Sequence, residues 1–112
     1  MEVPNLLSFT ERAQLRAWLE QNHSTESCCW VACSRSKEPK PDTLPYLVIV
    51  EEALCFGWVD STVKKLPDGR LAQRLSPRRK GSHWTELNKA RHRDLESRGL
   101  MTDAGRQALA NS

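Results

Sequence analysis

Apolar residues recur at helical spacing near the start of the chain. Ala13, Leu15, Trp18 and Leu19 form one stripe that ends near Asn22, the pattern of an amphipathic helix. Ser8-Phe9-Thr10-Glu11 precedes it and has the form of a capping box, with the Ser8 hydroxyl and the Glu11 carboxylate exchanging bonds with each other's backbone amides. Cys28 to Ser34 is a short apolar run that predicts a strand, with Cys29, Val31 and Cys33 on one face. Ser36 to Pro41 is a polar, proline-containing loop. Leu44 to Phe56 carries the β-branched cluster Val48-Ile49-Val50. Tyr46, Ile49, Val50, Ala53 and Leu54 nevertheless fit a helical face, with Pro45 in the first turn and Gly57 at the stop. Trp58 to Leu66 and Arg70 to Ser76 read as two strands joined at Pro67-Asp68-Gly69, a hairpin turn. On the second strand Arg70, Ala72, Arg74 and Ser76 face one way, and Leu71, Gln73 and Leu75 the other. Ser82 is placed to cap a helix from His83 to Ser97, stopped by Gly99. Thr102 is placed to cap a last helix, Asp103 to Ala110.

The order α-β-α-β-β-α-α defines an α+β domain. About four helices pack on a small antiparallel sheet of about three strands built around a central hairpin. The length of 112 residues allows one domain, residues 1–112. Hydrophobic residues at 38% and charged residues at 28% argue against disorder. No apolar run approaches the ~20 residues that cross a bilayer, so no membrane contact is expected. Met1 to Asn5 offers neither a basic start nor an apolar signal core, so a cytoplasmic location is expected.

The net charge of +3 conceals an asymmetry. Residues 1–60 carry five Lys/Arg against nine Asp/Glu, whereas residues 64–93 carry ten against two. The positive field therefore belongs to one stretch, suited to a phosphate, a carboxylate or a nucleic acid backbone, or to packing against the acidic half. Cys28, Cys29, Cys33 and Cys55 lack the two ligand pairs of a zinc site. Thiols without metal, disulfide or cofactor are expected.

Three segments read together are distinctive: Glu52 to Ser61 (EALCFGWVDS), Gln73 to Asn88 (QRLSPRRKGSHWTELN) and Gly99 to Gly105 (GLMTDAG). With them, nearly the whole chain resembles the YdeI/OmpD-associated family, also described as bacteriocin-protection proteins. The resemblance implies a bacterial, cytoplasmic α+β protein with kinship to YjbR/CyaY-like shapes, linked to antimicrobial-peptide tolerance and envelope stress without a defined reaction. Members of that family usually continue into a second, mostly helical part. The chain is thus expected to correspond to their N-terminal half.

The resembling segments also gather polar groups. Asp60 opens a strand, Arg74 lies on its partner, Arg78 and Arg79 follow, and Ser82 begins a helix with free amides. Trp58 and Trp84 offer flat apolar walls, and Asn88 lies one turn into the helix. Guanidinium groups beside a helix N-terminus make an anion site. Asp60, Arg74, Arg78, Arg79, Ser82, Trp84 and Asn88 are therefore the candidate ligand-binding set. The same residues could equally pin hairpin to helix, or form a protein-binding hot spot. Arg78-Arg79-Lys80 beside Trp84, continued by Lys89, Arg91 and Arg93, also suits phosphate contacts with a stacking platform for nucleic acid. An enzyme acting on a small anion is the weaker alternative: no catalytic motif is present, and Cys55 with His83 as base would require reactivity from a thiol inside an apolar helix. The expected function is a non-enzymatic binding or stress-protection module. Its expected partners are a small anion or a protein, and a second copy docked through an apolar patch around Leu15, Trp18, Leu100 and Leu109.

Overall fold

A computed structural model of the protein describes residues 6–35, 42–79, 81 and 84–111. Two long strands and one intermediate strand carry the sheet: β2 (Cys29–Ser34), β4 (Trp58–Lys65) and β5 (Leu71–Pro77). Two further strands of two residues each, β1 (Leu6–Leu7) and β3 (Leu44–Pro45), lie parallel to β2 along its other edge, at Trp30–Val31 and at Cys33–Ser34. The sheet is therefore five-stranded and mixed, where about three antiparallel strands were expected. Two-residue strands carry no periodicity of their own, so the alternation signal cannot show them. The order is β1-β2-β5-β4, with β3 beside β2. Helices α1 (Arg12–Asn22), α2 (Tyr46–Cys55), α3 (Glu86–Ser97) and α4 (Asp103–Ala110) complete the α+β architecture, and α2 touches all three others. None of the described helices is long and apolar enough to cross a membrane.

The unbroken apolar run of β2 has a physical reason: every residue from Cys29 to Ser34 is buried. Cys29, Val31 and Cys33 join Leu15, Leu19, Ile49, Leu54, Trp58, Leu75 and Leu95 in the main core. On the opposite face Trp30 packs with Leu66, Ala72 and Leu6 in a second, smaller cluster. The β4–β5 ladder contains a bulge. Asp60 pairs with Leu75 and Val63 with Gln73, so Ser61 and Thr62 together oppose Arg74. Gln73, 1% exposed, fills the irregularity: its side-chain amide donates to the carbonyls of Ser61, Thr62 and Arg74 at 3.2–3.4 Å.

Three helix starts differ from expectation: α2 begins at Tyr46, with Pro45 as its N-cap rather than in its first turn, because Leu44–Pro45 pairs with β2. The capping box of α1 lies three residues downstream, at Glu11 and Gln14, where the Gln14 side chain accepts from the Thr10 and Glu11 amides at 2.9 and 3.0 Å. Ser8 instead accepts from Arg70 at 3.2 Å. Helix α3 begins at Glu86, because the Thr85 hydroxyl accepts from the Asn88 amide at 3.1 Å. Ser82 is thus not its N-cap, and Ser82 and His83 lie outside the described residues. The other expected stops hold. Gly57 ends α2 at φ +76°, and Gly69 turns the hairpin at φ +90°, while Asp68 accepts from the Arg70 amide at 3.0 Å.

The apolar side chains expected to drive dimerisation are covered in part. Leu15 is fully buried, Trp18 meets Trp58 edge-on at 6.0 Å, and Leu100 and Leu109 pack against the core. Among the described residues the exposed large apolar side chains are instead Leu47, Val63 and Leu87.

Candidate functional site

Strand β5 runs out at Pro77, and the Arg78 amide continues the ladder by donating to the Gly57 carbonyl at 3.0 Å. This bond fixes the start of the Arg78 side chain beside the end of α2. The Arg78 guanidinium lies 4.0 Å above the centre of the Trp84 ring, a cation–π stack. Trp84, 4% exposed, meets the His92 ring edge-on at 5.8 Å, and His92 Nε2 lies 3.3 Å from the Gly105 carbonyl. The buried Trp84 indole N–H meets no acceptor among the described residues. Burial pulls the Arg78 guanidinium below its ordinary pKa, with the charge of Asp60 acting the other way. Its stack on Trp84 makes that desolvation tolerable.

Beyond this stack a cleft of about 170 Å³ is lined by Arg78, Arg79, Ala108 and Asn111. One wall is the end of β5 and the other is the last turn of α4. Helix α4 is held there by the Thr102 hydroxyl, which accepts from the Gly105 amide at 3.5 Å and donates to the Cys55 carbonyl. Ala108 and Asn111 carried no signal as sequence. Only the fold of α4 back onto the end of β5 brings them to the arginines.

The remaining described members of the expected set do not line the cleft. Asp60 accepts from the Tyr46 hydroxyl at 2.8 Å. Burial and this bond raise the Tyr46 pKa, while Arg35 and Arg91 lower it; the Arg35 guanidinium stacks on the same ring at 4.1 Å. Asn88 accepts from Arg91 at 3.1 Å. Arg74 departs most. It pairs with Trp30 and shares that residue's face, opposite the face of Leu75 and Gln73 on which the main core and the helices lie. Arg74 does not line the cleft beside Arg78. Even numbering along β5 predicted this face for Arg74, but not which face the helices would take.

A second charged cluster passed unnoticed in the sequence. Glu52, with no exposure, bonds Arg12 at 2.7 Å and Arg16 at 3.0 Å. Glu51 bonds Arg12 and, at 3.0 Å, Arg98. The signal was available: Glu51-Glu52 stands inside the apolar run Ile49 to Phe56, where a helix has no polar face to offer. This cluster ties α1, α2 and α3 together. All its charges are paired, so it has a structural character rather than that of a reactive centre.

The described residues hold no group of three or more His, Cys, Asp or Glu placed to bind a metal ion. Nor do the buried thiols Cys29 and Cys55 provide a nucleophile. Burial, with Cys28 adding to it, pushes the Cys29 thiol up to about 12; burial and then Glu52 push Cys55 up to about 11. Both remain protonated at neutral pH, and a buried neutral thiol is inert. We expect a thiol reagent to label one cysteine promptly in the folded protein, the half-buried Cys28, and all four after unfolding. Two or more prompt reactions would contradict this. A thiol whose folded pKa is raised stabilises the fold fully below its unfolded value of about 8.5, and that contribution is lost as pH rises toward the folded values. Stability should therefore fall in alkali above about pH 8.5, and Cys29→Ala should flatten the decline.

An α+β domain with a basic cleft at one end of its sheet is the class that fold and site define. The chain belongs to a family described as a domain of unknown function (DUF8412), whose model matches residues 7–108. No curated protein and no solved structure matches it.

Proposed function

We propose that the protein is a non-enzymatic binding module that accepts an anionic group in the cleft between Arg78–Arg79 and the end of α4. The observation that carries this reading is the pair of arginines in one cleft of about 170 Å³, one of them stacked 4.0 Å over Trp84. A planar guanidinium pre-positioned by an aromatic face recognises carboxylate or phosphate oxygens with little further ordering. The resemblance to YdeI/OmpD-associated proteins supports a stress-protection role for such a module in a bacterial cytoplasm.

The distribution of charge favours a small anion over nucleic acid. Among the described residues, the basic side chains between 64 and 93 do not all lie along one stripe. Lys64 caps Trp30 at 5.0 Å and Arg74 lies on that same sheet face, away from the cleft. Arg70 is clamped by Asp68 at 2.7 Å, and Lys89 pairs with Glu86 at 3.4 Å. A backbone-tracking surface needs its cations in a line. Titration with sulfate, followed by amide chemical shifts, tests the reading. Shifts should centre on Arg78, Arg79 and Asn111, and Arg78→Ala should weaken binding by about tenfold or more, whereas Lys65→Ala leaves it unchanged. Equal effects of the two variants would overturn the cleft as the site. Tighter binding of a single-stranded oligonucleotide, with steep salt dependence, would favour the nucleic-acid alternative.

A further inference from the structure

The two walls of the cleft differ in polarity. Arg78 and Arg79 supply donors only. Opposite them, Ala108 and Asn111 belong to the final turn of α4. A helix C-terminus carries the negative end of the helix dipole. The Asn111 amide donates back to Gln107 and Leu109, and the Asn111 carbonyl accepts from the Gly81 amide at 3.1 Å. These bonds hold the turn in place, and the Asn111 side chain adds a carboxamide acceptor. A phosphate dianion seated on the arginines would face this electronegative wall. A ligand with a carboxylate on one side and an N–H on the other satisfies both walls at once.

Resting on the anion-binding reading above, we infer that the cleft takes an α-amino carboxylate, with its carboxylate on Arg78 and Arg79 and its neighbouring N–H toward the Asn111 carboxamide. The volume of about 170 Å³ lies below the ~300 Å³ at which sites for drug-sized ligands begin. It suits a small residue rather than a nucleotide. The same chemistry is offered by a free amino acid, whose N–H is an ammonium, and by the last residue of a peptide, whose N–H is an amide.

Calorimetric titration of the full chain with alanine, N-acetylalanine, propionate and inorganic phosphate separates the cases. Alanine or N-acetylalanine should bind at least about tenfold more tightly than propionate, which lacks the N–H. The tighter of the two identifies the free or the peptide source. Asn111→Ala should bring that ligand down to the propionate level and leave propionate unchanged, while Arg79→Ala should weaken all carboxylates. Both side chains are exposed, so unchanged thermal unfolding of the two variants shows that the fold persists. Phosphate binding more tightly than every carboxylate, or propionate equalling alanine and N-acetylalanine, would overturn this inference and leave the anion site standing. Failure of all four probes to show Arg79-dependent binding would overturn both.

Discussion

Glu52→Ala should destabilise the protein by about 3–5 kcal/mol, the usual cost of removing one partner from a buried ion pair. Glu52 is wholly buried and holds two guanidiniums, Arg12 at 2.7 Å and Arg16 at 3.0 Å. Without the carboxylate both arginines must either stay desolvated and under-paired or swing to water, opening the α1–α2 contact. Glu51 cannot replace it, because it already binds Arg12 and Arg98. The control is Glu20→Ala. Glu20 reaches Arg16 only at 3.8 Å from a largely exposed position, where such pairs contribute about 0–1 kcal/mol. Urea unfolding of the two variants compares them directly. A loss of under 1 kcal/mol for Glu52→Ala would show that the cluster relaxes freely.

Gly105→Ala should be comparably damaging, for a steric reason. A Cβ at Gly105 would lie 2.3 Å from the Met101 sulfur, 2.6 Å from the Cys55 carbonyl oxygen and 2.7 Å from that of Leu54. The sulfur belongs to a flexible side chain and can yield. The two carbonyls form the end of α2 and cannot move without breaking its last turn. Overpacking of well-filled sites typically costs about 1–3 kcal/mol, and more against backbone, so a loss of about 3 kcal/mol or greater is expected. Helix propensity would by itself favour alanine by about 1 kcal/mol. A stabilised variant would show that propensity outweighs the contact and that α4 sits more loosely than its distances indicate. Because α4 forms one wall of the cleft, this variant should also weaken sulfate binding, although it touches no ligand.

The elements that could be read from the sequence were those whose signals are local. The turn at Pro67-Asp68-Gly69 and the Thr102 cap of α4 each lie where expected, because a few adjacent residues decide them. The buried helix α2 was legible despite Val48-Ile49-Val50, since Glu51 to Leu54 and the stop at Gly57 outweigh the β-branched cluster. Strands β1 and β3 were not legible, since only the free edge of β2 gives Leu6–Leu7 and Leu44–Pro45 something to pair with. Within the candidate site, Arg78, Arg79 and Trp84 converge as their short separation suggests. Arg74 departs, because which face of a sheet the helices cover is a tertiary fact. Ala108 and Asn111 complete the cleft from about thirty residues away, a distance over which no motif operates.

The bulge at Ser61–Thr62 has a consequence for the protein in a crowded solution. Strand β4 is the outermost long strand, and an open edge is a template on which another chain can add itself. The extra residue breaks the even spacing of amides and carbonyls along that rim, and Gln73 reaches through from behind to occupy the carbonyls of both bulged residues. The adjacent cations Lys64 and Lys65 follow the bulge along the same strand and further disfavour an added strand. One irregular step in a ladder, fastened by one buried amide, thus interrupts the regular rim that an added strand would need.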